Sequence, residues 1–163
     1  MRHVSNKAIR LISHFEGRAN YVYDDPVGVA TVGVGHALKP HRRATAADKA
    51  RYGTRANPKM SDEHVDRILR RDLAIFEEGV ARLVHRGTTQ SEFDSLVSLA
   101  FNIGINGFAG SSVRRLHNAR RPFLAGLAFL MWVKGGGQTL PGLVRRRRAE
   151  RYLYRKGGLR FFQ

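Results

Sequence analysis

The sequence predicts an α+β fold, predominantly α, with a small β-hairpin lobe and a larger helical lobe. Three observations carry this. A short amphipathic segment opens the chain. A glycine-punctuated, β-branched stretch, "VGVATVGVGH", lies between Tyr21 and Ala37. After Ser61, apolar residues recur mainly at the 3.6-residue period of a helix. At 163 residues the chain fits one domain, able to bury roughly two-thirds of its unfolded surface. The β lobe is expected at about residues 18–58 and the helical lobe at 1–17 and 59–163. A ligand cleft is expected between them.

The elements follow in order. Residues 5–15 read as a helix with Ile9 and Ile12 inward, Ser5 as its cap and Gly17 as its end. Tyr21 to Ala37 reads as strand, turn, strand, because "DDPVG" sets Asp before Pro and then Gly. Residues 39–59 read as a basic loop with a short helix around Ala46–Arg51, placed to cover the mouth of the cleft. Ser61 caps a long helix whose period runs from Val65 to about Val84. Thr89 and Glu92 have capping-box spacing, and the helix they open carries a Phe93–Phe101 core stripe. That helix ends at "NIGINGFAG", a glycine-rich corner. Further helices are expected from Ser112 to about His117, from Pro122 to about Val133 and from about Leu143 to Tyr154, with "KGGGQTLPG" as a loop. Trp132 is expected in the core, and the histidines other than His36 on the surface.

Composition excludes several chemistries. There is no cysteine, hence no disulfide and no thiolate metal site. No metal-ligand spacing, P-loop or nucleophile-elbow motif occurs. The opening "MRHVSNKAIRLISHFEG" is too interrupted by polar residues to be a signal peptide, which points to synthesis in the cytoplasm. No apolar run approaches the length of a membrane span. Against 13 Asp and Glu stand 29 Lys and Arg, a formal charge of +16. That excess predicts a polyanionic partner: nucleic acid, an anionic membrane or an acidic wall polymer.

Three of the acids, Glu16, Asp24 and Asp25, lie in "HFEGRANYVYDDPVGVATVGVGH", His14 to His36. Eight residues separate Glu16 from Asp25 and five separate Asp25 from Thr31. A strand–turn–strand can fold the latter two back towards a helix end. Two carboxyls and a hydroxyl are the equipment for breaking a glycosidic bond. One acid protonates the leaving oxygen, and the other carboxylate activates water or attacks the sugar. The proton donor needs a partly desolvated site, which suits Glu16. Asp25, in a polar turn, suits the ionised role, and Thr31 suits holding a water. Asp24 reads as a turn cap.

This E-x8-D-x5-T pattern resembles that of the phage-type lysozymes, or endolysins (glycoside hydrolase family 24). So do "FEGRANYVYDDPVGVATVGVGHAL", "SEFDSLVSLAFNIGINGFAGSSVRRLHN" and "LPGLVRRRRAERYLY", in the family's order over most of the chain. The resemblance implies a lysozyme-like two-lobed fold and hydrolysis of the β-1,4 bond between N-acetylmuramic acid and N-acetylglucosamine in bacterial peptidoglycan, without a cofactor. It implies Glu16 as general acid, Asp25 as partner carboxylate and Thr31 as the residue that positions water or accommodates the intermediate. It leans to inversion. Asn102 is implied as a substrate-binding residue; as a bare sequence position it reads equally as a helix C-cap beside Gly104. An arginine of "VRRRR" is expected near Glu16, with Arg146 chosen. His36 is implied to pair structurally with Asp72. The family works at the wall after release, for which a pore-forming partner is expected.

A monomer is expected, with no specific nucleic acid. The basic segment 140–163, with its aromatics, is a candidate for contact with an anionic membrane. Two rivals remain at this level. A non-enzymatic nucleic-acid binder has the charge in its favour but no binding motif. A lytic transglycosylase cuts the same bond with one acid, and Asp25 and Thr31 at family spacing argue against it.

Overall fold

The computed structural model describes residues 2–38 and 42–163. The order of elements is α1 (Asn6–Glu16), β1 (Ala19–Asp24), β2 (Ala30–Gly33), β3 (His36–Ala37), α2 (Ala46–Tyr52), β4 (Gly53–Thr54), β5 (Asn57–Pro58), α3 (Asp62–Leu83), α4 (Gln90–Ile103), α5 (Ile105–Gly110), α6 (Ser112–Asn118), α7 (Pro122–Ala128), β6 (Lys134–Gly135), β7 (Gln138–Thr139) and α8 (Pro141–Lys156), with a 3₁₀ turn at Phe129–Met131. The fold is α+β and mostly helical, as predicted. The chain divides into two compact units, residues 16–72 and residues 1–15 with 73–163. The division falls inside α3.

The unit 16–72 is built on an antiparallel sheet in the order β1-β2-β3. Ala19 pairs with Gly33 and Tyr23 with Thr31, with a bulge between; Val32 pairs with His36. The β2–β3 turn needs positive φ at Gly33 (64°) and Gly35 (71°), values a side chain resists. A Cβ on Gly33 would also press on Val65 at 3.4 Å. Val22, Ala30, Val32, Val34, Met60 and Val65 are buried in this unit. The expected cover over residues 39–59 falls partly on 39–41, outside the described residues. From Thr45 onward the segment holds α2, with a Thr45–Asp48 capping box, and the β4–β5 hairpin.

In the other unit α4 is buried on every side from Phe93 to Ala100, which explains why its apolar stripe also contains Asp94, Ser95 and Ser98. Each of these has a fixed partner. Asp94 accepts from the Ser5 backbone N–H at 2.9 Å and from Gln90 at 2.8 Å, and the Ser5 hydroxyl donates to it as well. Ser98 donates to Glu150 Oε1 at 2.7 Å. Glu150 and Arg147 are both 0% exposed. Arg146 Nε donates to Glu150 Oε1 at 3.1 Å, Arg147 Nη1 donates to Glu150 Oε2, and Arg147 Nε donates to the Trp132 carbonyl at 3.0 Å. The arginine run is therefore split by helical period: Arg146 and Arg147 face inward, Arg145 and Arg148 outward.

Several expectations are corrected. "GINGFAG" forms α5, packed so closely that a Cβ on Gly79 of α3 would lie 2.6 Å from Ile105. "KGGGQTLPG" contains the β6–β7 hairpin. The helix from Pro122 ends at Ala128 and tightens into the 3₁₀ turn, so Trp132 is half-buried, not a core residue. The histidine expectation fails at His117, which is 3% exposed. Its neighbours fix its tautomer. Thr88 donates to the His85 carbonyl at 2.7 Å, so its oxygen accepts from His117 Nε2–H at 2.8 Å; Tyr154 then donates to Nδ1 at 2.7 Å. His85 stacks on the ring at 4.4 Å. Burial, with smaller contributions from His85 and Arg120, outweighs the attraction of Glu92 and lowers His117 from 6.5 to about 4.

Two predictions follow from this packing. Glu150→Ala leaves Arg147 buried without its carboxylate and lowers the unfolding free energy by about 3–5 kcal/mol. Arg82→Ala, which removes the exposed pair with Glu78, costs less than ~1 kcal/mol; urea unfolding of both variants compares them. His117 has a folded value below its unfolded one, so the unfolded chain binds more protons between pH 6.5 and about 4. Its contribution to stability is full above that window and is lost as pH falls through it. His117→Gln flattens that part of the stability–pH curve.

Candidate active site

The turn after β1 is organised by one carboxylate. Asp25 Oδ1 accepts from the backbone N–H of Val27 at 3.0 Å and of Val29 at 2.8 Å. The Asp25 N–H donates to the Val29 carbonyl at 2.9 Å, and Gly28 N–H donates to the Asp25 carbonyl at 2.9 Å. Gly28 takes φ 83° there. Oδ2 makes no hydrogen bond among the described residues. On β2 the Thr31 hydroxyl donates to that same Val29 carbonyl at 2.9 Å. Val29 thus fixes both side chains, Asp25 through its N–H and Thr31 through its C=O. Thr31 is 3% exposed. With its proton committed, its oxygen is left as an acceptor.

Glu16 is the last residue of α1 and is exposed. The partial desolvation expected of it is not found. The helix stops there because Gly17 takes φ 81°, and the chain leaves into β1. Arg18 secures that exit, with Nη1 2.7 Å from Asp66 and Nε 3.3 Å from Asp62. Asp24 caps nothing in its own turn. Its Oδ1 accepts from the Ala44 N–H at 2.7 Å and ties the end of β1 to the segment before α2.

His36 Nδ1 lies 2.8 Å and 3.0 Å from the two oxygens of Asp72, linking β3 to α3. Asn102 sits inside α4, whose C-cap is Gly104, so the C-cap reading is withdrawn. Its Oδ1 accepts from Arg147 Nη2, which fixes the amide and turns its NH₂ away from the guanidinium. Arg146 is buried, with its guanidinium 6.0 Å from the Phe15 ring, the residue before Glu16.

Tyr23 escaped the sequence reading. It is the strand partner of Thr31, and its ring lies 6.3 Å from that of Tyr21. Burial first, then the charge of Asp25 and the neighbouring Tyr21, raise its phenol above the ordinary value. The alternation of Tyr21 and Tyr23 along β1, two residues short of Asp25, was the available signal. The described residues contain no group of three or more His, Cys, Asp or Glu able to hold a metal ion.

Comparison with known proteins adds independent information. The family profile for phage lysozyme matches residues 13–150. The chain is 35% identical over 154 residues to the endolysin of Salmonella phage P22, covering 94% of this chain and 99% of that one. It is 34% identical over 158 residues to the endolysin of Bacillus phage B103, covering 94% of this chain but about half, 54%, of that protein's length. Among solved structures, the muramidase domain of SpmX from Asticaccaulis excentricus superposes with a TM-score of 0.75 at 34% identity, over 95% of this chain and 99% of that one.

The Asp25 turn makes a prediction about its two functions. Asp25→Asn keeps an oxygen for the two N–H groups and unfolds within ~0.5 kcal/mol of the parent, whereas Asp25→Ala frees both donors and costs about 1 kcal/mol. Urea midpoints of the two variants read the difference.

Proposed function

The chain belongs to the phage lysozyme family, and from that premise we propose how it acts as a muramidase on bacterial peptidoglycan. Glu16 donates a proton to the oxygen bridging N-acetylmuramic acid and N-acetylglucosamine. The bond from C1 of the muramic sugar to that oxygen breaks, and the leaving sugar departs with a free hydroxyl. A water attacks C1 from the opposite face and yields its proton to Asp25 Oδ2, so one water is consumed and the anomeric centre inverts. Thr31, whose proton is spent on the Val29 carbonyl, accepts a hydrogen bond from that water and orients it. Glu16 is exposed at the end of α1, where a glycan laid over it meets its carboxyl.

The single observation that carries this reading is the common anchoring of Asp25 and Thr31 on Val29 within the family-matched span 13–150. A base and a water-orienting oxygen held by one residue keep a constant separation. That is the preorganisation a hydrolytic step needs. In the same reading Asn102 offers its NH₂ to a sugar oxygen. Arg146 and Phe15 position the end of α1 that carries Glu16, and His36 with Asp72 is structural. The substrate is neutral sugar on an anionic wall, and the net +16 holds the enzyme to that surface.

Turbidity loss of purified peptidoglycan tests the assignment. Glu16→Gln, matched to the parent by circular dichroism, falls about 100- to 10,000-fold in rate. An unchanged rate moves the acid elsewhere. Raising salt from low to physiological strength lowers the parent's rate, since surface attraction is screened over about 10 Å at 0.1 M; a salt-independent rate removes the role given to the charge.

A further inference from the structure

Between residues 120 and 163 the chain has eleven Lys and Arg and one carboxylate, Glu150. That carboxylate is sealed inside with Arg146 and Arg147. What faces outward is therefore uncompensated. Arg148, Arg151, Arg155 and Lys156 recur at helical spacing on one side of α8 and line a groove of about 340 Å³, together with Phe123, Tyr152 and Phe162. None of these four cations is in a salt bridge among the described residues.

Beside this groove α7 presents an apolar surface. Phe123 is 56% exposed and Met131, in the following 3₁₀ turn, 69%. Leu124 and Leu127 are exposed between them. The spacing 123, 124, 127, 131 is one helix face. The opposite side of α7, Ala125, Gly126 and Ala128, is buried. The apolar and cationic surfaces are joined. Gly126 lies where a Cβ would stand 3.1 Å from the Arg155 stem, and the absence of that Cβ lets Arg155 cross α7 and set its guanidinium 5.2 Å from the Phe123 ring. A large exposed apolar face beside cations without partners is not a solvated surface.

We propose that this α7–α8 face docks on an anionic phospholipid bilayer, with Phe123, Leu127 and Met131 inserted at the acyl boundary and the α8 groove holding headgroup phosphates. An amphipathic face of this kind lies in the membrane plane, drawn by charge and retained by apolar burial. Nucleic acid would use the cations but leaves the α7 face wet, and a neutral partner would leave the cations unanswered. The segment 140–163 by itself is not the device, because Leu153 and Tyr154 of α8 are committed to the interior; the apolar part comes from α7.

The chain's one tryptophan, Trp132, adjoins Met131 and reports insertion directly. The experiment mixes the full-length protein with phosphatidylglycerol/phosphatidylethanolamine vesicles at low salt, with phosphatidylcholine vesicles as control. Emission from Trp132 shifts to the blue, and brominated lipid quenches it, only with the anionic vesicles. Arg151→Gln with Arg155→Gln weakens binding about 30-fold, near fivefold for each charge. Phe123→Ser with Leu127→Gln, both at exposed sites, abolishes the shift and weakens binding at least tenfold, while peptidoglycan clearance stays at the parent's rate. A shift that survives the apolar variant overturns the proposal, as does equal binding to neutral vesicles. A concentration-dependent shift without lipid would assign the face to a second copy of the chain and overturn it too. The vesicle readout needs no wall cleavage, so its failure is separable from failure of the muramidase reading.

Discussion

The structure depends most on one buried carboxylate. Glu150 holds two guanidiniums and a serine hydroxyl in the interior between α4 and α8. Burying one acid with two arginines is costly unless every remaining donor is met. Here further donors go to the Ser98 and Trp132 carbonyls and to Asn102. The rotation of α8 about its own axis is thereby fixed. Arg146 and Arg147 must face α4, so Arg148, Arg151 and Arg155 must face away. The same lock orients the Asn102 amide. Two features, the orientation of the Asn102 amide and the cationic groove of α8, follow from one charge placed in the core.

The second constraint is local and independent of the first. The five-residue turn after β1 closes on Asp25, and the backbone of Val29 serves both Asp25 and Thr31. One oxygen of the carboxylate is spent on shaping the loop, and the other makes no hydrogen bond among the described residues. In the proposed reaction Asp25 has a second task as base, and an amide separates the two, since it preserves the turn while removing the base. Glu16 stands at the exposed end of α1, where Gly17 breaks the helix.

Much of this was legible in the sequence. Thr89 and Glu92 signalled the α4 capping box, which the structure contains, and the period from Val65 onward gave α3 nearly to its last residue. Local chemistry sufficed there. It failed where tertiary packing decides. Glycines in "GINGFAG" read as a corner, yet Ile105–Gly110 is helical and packs Ile105 where a Cβ on Gly79 would stand. Four consecutive arginines look alike until Glu150, three and four residues on, selects two of them. His117 gave no sign of burial, since its partners Thr88 and Tyr154 lie 29 and 37 residues away. Of the candidate site, the spacing of Glu16, Asp25 and Thr31 was plain; the double use of Val29, a backbone relation, has no side-chain signature.

In the proposed reaction, water held by Asp25 and Thr31 completes the cleavage begun by Glu16. Digestion of purified peptidoglycan in ¹⁸O-labelled water, followed by mass spectrometry of the released muropeptides, tests it most directly. The account predicts muramic acid reducing ends that each carry one heavy oxygen, and their absence with Glu16→Gln. Anhydro ends without label would contradict it, because the departing sugar would then have been displaced by a hydroxyl of the substrate itself and Asp25 would have no water to activate.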